Sequence, residues 1–453
     1  NIGSSADIRQ SWNSRFLSDI QGLDSVPDEC KVCSYLGKCK GGSRYAAKLV
    51  NGSYKSKDPL ADFNNKRRAR KKKVMIYCQS SYGIGHFMLC LNLAKELCKD
   101  NDVLLAFGGE RYGIDIPKNI RFLQLDALQD DRDNRKMLKA KDPDADISSI
   151  KRSRAKKLLK SFDVFDPDML LVEHFPFGRM NYVFEIIPLL EKARKKSKAI
   201  FSVKAVISRK NQDKGKISST YRIIDKYFDR ILVCTDPEIE KLDEEIPSSG
   251  FQEKIRYCGY VVSKPKERII KRDKIKALLN IKDEHLILAC FGGGIEGFNR
   301  IKAVIGSIGH IEEKHRVKLI ISTGPQIEDG EYQKVEELAK DRRNIMITRF
   351  NPTILDYMDA SDAVISMAGI NTFAENILAG GKTVFLPLKN NEQDKRIQNL
   401  DKRQKVRYID EDKISDVKIA ELIQREIRTK QKKNHHDINL KGRENLARII
   451  SEV

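Results

Sequence analysis

Glu375 sits one turn into a predicted helix, Thr372 to Leu378, that follows an apolar strand-like run, Ala363 to Ser366, and a tight turn of small residues, Met367 to Asn371. A helix that starts straight after a glycine turn aims its free N–H groups and its positive dipole end above the strand, where anions are favoured. Asn371 or Thr372 is placed to cap it. A carboxylate at that mouth suits a nucleotide, whose ribose hydroxyls need an acceptor beside a diphosphate held by the helix end. It is a poor place to receive a bare phosphate. A second apolar run, Thr383 to Leu388, completes strand, turn, helix, strand, and the plainer reading of the stretch is an ordinary βαβ unit.

Three more places combine a strand end with reactive or phosphate-approaching residues. Val74 to Cys78 leads into Gly83, Gly85 and His86 and then a helix, so a glycine loop opens a doubly wound lobe at its first strand, where ligands bind. As a histidine, His86 can take a proton from an acceptor hydroxyl; equally, it can cap the helix or bind phosphate. Asp168 to Val172 ends in Glu173-His-Phe-Pro-Phe-Gly-Arg179, which makes Glu173 a rival base and Arg179 a phosphate ligand, unless the two simply pair. In the second half, His285 to Phe291 runs into Gly292, Gly293 and Gly294, a loop that lets a backbone approach a diphosphate closely, and Val317 to Ser322 leads into a turn at Thr323 and Gly324.

Phe350, Met358, Ala360 to Asp362, Val364 to Ser366, Ala368, Gly369, Thr372, Ala374, Glu375, Pro387, Gln393 and Asn399 together resemble the sugar-nucleotide signature of GT-B glycosyltransferases, of the lipid-linked N-acetylglucosaminyltransferase (family 28) type. The resemblance spans roughly 74 to 453 and is more specific in the second lobe. It implies two doubly wound, Rossmann-like α/β lobes. It assigns the donor ribose to Glu375 and the donor sugar to Gln393, with Glu392 beside it. It extends the donor site over Gly293, Gly294, Thr323, Gly324, Phe350, Met367, Ala368, Gly369 and Thr372, and turns Gly83, Gly85 and His86 toward the acceptor and the diphosphate. Relatives carry Gly-Gly-Ser where this chain has Gly294, so a hydroxyl contact to phosphate is lost and N–H groups must replace it. The Glu-His-Phe-Pro-Phe-Gly-Arg phrase resembles a subgroup of predicted glycosyltransferases of unassigned substrate.

The chain has 453 residues, 85 Lys and Arg against 64 Asp and Glu, a formal charge of +21 and 33% charged residues. That balance favours acidic partners, namely nucleotides, anionic lipid or nucleic acid, without choosing among them, and a Lys-rich habit of the source explains it as well. No apolar run approaches the roughly 18 to 20 residues of a membrane span, and no secretory signal opens the chain. The expectation is a cytoplasmic protein, peripheral to the inner face of the membrane. The start at Asn1 reads as a fragment or a processed piece of a longer fusion.

Six of the nine cysteines, Cys78, Cys90, Cys98, Cys234, Cys258 and Cys290, fall in apolar stretches and read as buried thiols. Cys30, Cys33 and Cys39 lie within ten residues among glycines, a density of soft ligands that suits an iron–sulfur cluster or zinc. With Gly41, Gly42, Ser43 and Arg44 they resemble the cysteine-rich SPASM tail of radical S-adenosylmethionine enzymes, which implies a radical-domain partner. Ser43 stands where that pattern often has a further cysteine, and the chain lacks the radical domain's CxxxCxxC, so no radical chemistry is expected from it alone.

The expected organisation is a cysteine-rich module (1–63, with a helix near Asp7 to Leu17), a basic linker (64–73), an acceptor lobe (74–263), a hinge (264–272) and a nucleotide-sugar lobe (273–453). The linker is a phosphate or lipid clamp, or merely a solvated hinge. Residues 126–160, rich in Asp, Lys and Arg with little apolar periodicity until a helix before Phe165, are expected to form a mobile insert at the acceptor side, Thr235-Asp-Pro to start a helix, and the last helix to cross back onto the first lobe. The leading function is transfer of a sugar from a UDP-linked donor to an unknown, lipid-linked or membrane-peripheral acceptor. It proceeds by inversion with His86 or Glu173 as base; no DxD pair lies in a fitting place, so no cofactor is required for the transfer. The alternatives are a nucleotide-sugar hydrolase or epimerase, and a cluster-bearing or RNA-binding adaptor, nucleic acid being the lesser partner.

Overall fold

The computed structural model describes all residues except 1–9, 11, 22–24, 32–35, 60–70, 81–83, 111–112, 132–136, 141, 143, 206–213, 264–269, 381, 390–391 and 430–436. The chain divides into two compact units, Asn1–Lys71 and Lys72–Val453. Most of the basic linker and of the hinge, together with Gly83 and Cys33, lie outside the described residues.

The first unit is a set of short helices, Arg15–Gln21, Asp28–Lys31, Leu36–Cys39 and Arg44–Asn51. The helix expected near Asp7 to Leu17 is described only from Arg15 as a regular element. Ser43 caps the last helix through its hydroxyl, which accepts from the Ala46 N–H at 3.1 Å. The buried Arg44 ties the following loop by donating to the carbonyls of Tyr54 (3.1 Å) and Ser56 (2.9 Å). The serine that replaces a cysteine of the resembled pattern thus has a structural task of its own.

In the second unit the first lobe contains β1 (Lys73–Cys78), β2 (Asp102–Phe107), β3 (Ile120–Gln124), β4 (Leu128–Asp130), β5 (Leu138–Ala140), β6 (Met169–Glu173), β7 (Ala199–Lys204), β8 (Arg230–Val233) and β9 (Ile255–Tyr257). Seven of these form a sheet in the order β3-β2-β1-β6-β7-β8-β9, and every pairing is parallel. The second lobe has β10 (His285–Cys290), β11 (Val317–Ser322), β12 (Ile345–Thr348), β13 (Ala363–Ser366), β14 (Thr383–Phe385) and β15 (Arg407–Tyr408), parallel in the order β12-β11-β10-β13-β14-β15. Strands buried on both faces read as unbroken apolar runs, which is why β1, β6 and β10 stand out in the sequence. Both lobes are thus doubly wound. Each reverses its strand order beside its first strand, between β1 and β6 and between β10 and β13. Crevices at such switch points, beyond the carboxyl ends of the strands, are where ligands bind.

Within residues 126–160 the described part contains the antiparallel pair β4 and β5 and the start of a helix, Ile147–Phe165, that buries Leu158, Phe162 and Phe165 in the core. Its fourth buried residue is Arg154, which grips Glu185 with Nε at 3.0 Å, and this charge in the apolar stripe masks the helical period. Thr235-Asp-Pro does not start a helix. The Asp236 carboxylate accepts from Glu238 N–H at 2.9 Å and the Thr235 hydroxyl donates to the Glu240 carbonyl at 3.1 Å, so the segment closes as a turn. The last helix, Gly442–Ser451, does cross back: Leu446 and Ile450 are buried in the first lobe's core.

The lobes share a further core in which Ile239, Tyr260 and Val262 pack with Phe373, Ile377, Ile397 and Leu400. Inside it the guanidinium of Arg396 bonds both oxygens of Glu240, at 2.9 and 2.8 Å, and the Tyr260 hydroxyl donates to the same carboxylate at 2.8 Å. Among the described residues no helix is long and apolar enough to cross a membrane.

Candidate active site

The two switch points face one cleft between the lobes. A cavity of about 240 Å³ is lined by Ile84, Gly85 and Met88 of the first lobe and by Gly292, Gly293, Phe350, Gly369, Thr372 and Glu375 of the second, among others. Its second-lobe wall is built by two interlocked loops. Gly324 (φ +101°) lies so close to the triple glycine that a Cβ on it would sit 2.3 Å from the Gly294 nitrogen, and one on Gly294 (φ +96°) would sit 2.7 Å from the Thr323 carbonyl oxygen. Only glycines fit there.

The amides differ from the expected set. The Gly294 N–H is engaged by the Phe291 carbonyl at 3.2 Å, so it does not serve a ligand. The Gly293 N–H has no acceptor among the described residues. The helix beyond β13 runs Ile370–Ala379 with Gly369 before it and no side-chain cap. Neither Asn371 nor Thr372 caps it, because the helix starts earlier than the pattern suggested and both residues are inside its first turn. The first amides of such a helix have no intrahelical acceptor, which leaves Ile370, Asn371 and Thr372 as donors at the cleft.

Glu375 lines the cavity one turn farther in. It has no hydrogen bond or ion pair among the described residues, and burial alone pushes its carboxyl up to about 7. An unpaired carboxyl beside uncapped amides can take hydroxyl donors from a ligand whose anionic part lies on the amides. Phe350, Pro352, Ile354, Leu355 and Met358 supply an apolar wall next to it.

The remaining expected donor residues are not gathered into the cavity. Met367 and Ala368 are buried in the core, and the Ala368 carbonyl accepts from Arg396. Thr323 is buried, its hydroxyl 3.4 Å from the Gly324 and Thr348 carbonyls. Gln393 is buried and accepts from Leu388 N–H at 3.4 Å, while Glu392 opens the helix Glu392–Arg403. Sequence reasoning did not single out Asn351, Pro352, Ile354 and Leu355; the signal was the polar-proline step just after Phe350 at the end of β12.

At the first lobe's switch point His86, in the first turn of the helix Gly85–Leu97, sets its Nδ1 2.5 Å from Glu173 Oε1 at the end of β6. Glu173 is fully buried and lies behind the imidazole, with Arg179 Nη2 3.6 Å from its other oxygen. Burial alone would raise this carboxyl, but the neighbouring His86, Arg179 and Lys204 outweigh it and hold it below the usual range. Of the two, the His86 side chain is 21% exposed and that of Glu173 is fully buried, and neither is among the residues that line the cavity. Facing an ionised carboxylate, Nδ1 is assigned as the donor of that bond.

His174 is the third group here, with φ +62° and its ring 5.2 Å from that of His86. Burial, with Lys204, Arg179 and His86 nearby, holds its imidazole well below the ordinary value, so it is neutral at physiological pH. His86, Glu173 and His174 are the one group of described residues whose donor atoms lie close enough together to ligate a metal, within 4.8 Å of one another. Glu173 already carries His86 and Arg179, and with Lys204 bearing on it as well the local charge disfavours a cation. The described cysteines Cys30, buried, and Cys39, exposed, belong to no such group. Cys78, Cys90, Cys98, Cys234, Cys258 and Cys290 are buried thiols, as expected.

Residues 288–452 match the glycosyltransferase family 28 C-terminal domain. Over 224 residues, 47% of this chain and 57% of the relative, the sequence is 23% identical to the UDP-N-acetylglucosamine–N-acetylmuramyl-(pentapeptide) pyrophosphoryl-undecaprenol N-acetylglucosamine transferase of Desulforamulus reducens. The match thus spans little more than half the length of that relative. Among solved structures, the calicheamicin glycosyltransferase CalG4 superimposes with a TM-score of 0.53 at 12% identity, over 84% of this chain and 97% of that one. The UDP-GlcNAc 2-epimerase of Methanocaldococcus jannaschii gives 0.55 at 14% identity, over 84% and 100%. At these identities the likeness is one of fold. The second lobe therefore carries a glycosyltransferase family 28 C-terminal domain, and the chain has the two-lobed GT-B glycosyltransferase fold.

Proposed function

We propose that the chain transfers a sugar from a nucleotide-sugar donor, UDP-linked, to an acceptor held by the first lobe. One observation carries this reading: an unpaired, half-buried carboxyl, Glu375, lines the interlobe cleft beside an uncapped helix start. The ribose hydroxyls donate to Glu375, and the diphosphate lies on the amides of Gly293, Ile370, Asn371 and Thr372. Preorganised N–H groups stabilise the charge that grows on the leaving diphosphate, so the transfer needs no metal ion. His86 takes the acceptor hydroxyl's proton through Nε2 while Glu173 holds Nδ1 and the imidazolium that forms. The acceptor oxygen attacks the anomeric carbon as its bond to the diphosphate breaks, which inverts that centre.

The name of the Desulforamulus relative specifies an undecaprenol-linked acceptor. A lipid-linked acceptor met at the membrane surface is the corresponding proposal for this chain. A cluster or zinc on Cys30, Cys33 and Cys39 is a separate proposal, tested by metal analysis of the purified chain.

The epimerase among the structural neighbours favours a second reading, in which the same cleft eliminates or hydrolyses the nucleotide with no acceptor sugar. Incubation with UDP-sugars and a lipid extract separates the two. Transfer gives free UDP with a glycosylated lipid in equal amounts. Free UDP without glycosylated product overturns transfer and supports the second reading.

A further inference from the structure

Gly85 has no conformational need to be glycine, since its backbone is not left-handed. What it faces gives the reason. A Cβ at Gly85 would come 3.3 Å from the side-chain nitrogen of Asn371, and that nitrogen donates to the Gly85 carbonyl at 2.8 Å. The contact joins residues 286 positions apart, across the cleft. Asn371 belongs to the first turn of the helix whose amides face the cleft, and Gly85 immediately precedes His86. Around it Ile370 and Phe350 of the second lobe pack with Ile84 and Met88 on the first lobe's core. One amide side chain therefore ties the start of the helix bearing the anion-binding amides to the start of the helix bearing the imidazole.

Resting on the reading above, we propose that Asn371 is a positioning residue: it fixes His86 relative to the diphosphate site through Gly85, and does not itself hold the donor by its side chain. The side chain is occupied by protein, while its backbone N–H stays at the helix mouth. Glycine at 85 is then a clearance for this bond. An error of about 1 Å between a base and the reacting centre costs on the order of a hundredfold in rate, so a small interlobe shift suffices to matter.

The test uses the full chain and two readouts, the dissociation constant of UDP by calorimetry and the imidazole 15N resonances of His86, assigned with His86→Gln. Asn371→Ala is expected to move the His86 resonances and to leave the UDP constant within about twofold, and Gly85→Ala to move the same resonances by crowding the bond. Glu375→Ala is the control, expected to weaken UDP binding and leave His86 unmoved. If Asn371→Ala weakens UDP as Glu375→Ala does and His86 stays put, Asn371 is a donor ligand and the proposal is overturned. Unmoved His86 resonances in both Asn371→Ala and Gly85→Ala overturn it too. If Glu375→Ala leaves UDP binding unchanged, the donor-site reading fails instead, while the His86 resonances still decide the role of Asn371.

Discussion

Replacing Glu375 by Gln separates two effects of one carboxyl group. Without ligand its folded-state value is raised to about 7 from an ordinary 4.5, with burial as the cause. For an acid raised in this way, the folded state favours the protonated form. Stability is therefore full below about pH 4.5 and falls as pH rises to about 7, by roughly 1.36 kcal/mol for each unit. The interval amounts to an upper bound of about 3 kcal/mol, and partial exposure to the cleft reduces it to about 2. Glu375→Gln removes this penalty, so its melting temperature should exceed that of the wild type by a few degrees at pH 8 and match it at pH 4.5.

Ligand binding reverses the preference. Ribose hydroxyls donate to the carboxylate, so a nucleotide sugar binds the ionised form. Its affinity should rise between pH 5 and 7.5, and binding near pH 6 should release close to one proton. Calorimetry with UDP-glucose in buffers of different ionisation enthalpy measures that release, because its diester diphosphate does not titrate there. Charged hydrogen bonds contribute about 1.5 to 3 kcal/mol each, so Glu375→Gln should weaken UDP-glucose at pH 8 by about tenfold to a hundredfold. A pH-independent affinity with no proton release, or a Gln variant that binds as the wild type does, refutes the reasoning.

Three more outcomes follow from the geometry. His86→Gln should lower UDP release from the donor in the presence of acceptor by about a hundredfold to ten-thousandfold with the UDP dissociation constant unchanged; a parallel loss of UDP binding would count against a proton-transfer role. Glu240→Ala leaves Arg396 buried without its carboxylate and should cost about 3 to 5 kcal/mol in urea denaturation, whereas a loss below about 1 kcal/mol would mean the shared core does not depend on the pair. Gly324→Ala drives a methyl group into the Gly294 backbone and should abolish UDP binding or folding; a folded variant with native UDP affinity contradicts the interlocked-loop account.

Much of the fold was legible because parallel strands buried on both faces read as apolar runs followed within a few residues by glycine, as at β1, β10 and β13. The helix before Phe165 was legible, but not its extent back to Ile147, because a charge holds a core position: Arg154 is satisfied by Glu185, a partner the sequence does not announce. The Thr235 segment misled for a related reason, since local side-chain bonds from Asp236 and Thr235 outcompete the helix that its pattern suggests. At the site, residue types on strand ends were readable, hence Glu375, His86 and Glu173. Contacts across the lobes were not. Nothing in Gly85 or Asn371 alone reveals that they meet, and nothing in the run Gly292 to Gly294 tells which N–H is already engaged. Met367 and Ala368 pack the core, and Gln393 accepts from the Leu388 N–H, contacts that residue types alone do not announce.

The central claim is that the interlobe cleft binds a uridine nucleotide. Thermal-shift titration of the full chain with UDP, GDP, dTDP and CMP tests it, since a ligand that binds only the folded state raises the melting temperature with its concentration. The account predicts a rise with UDP that grows with the logarithm of its concentration and is absent in Glu375→Ala; no rise with any of the four nucleotides would contradict it.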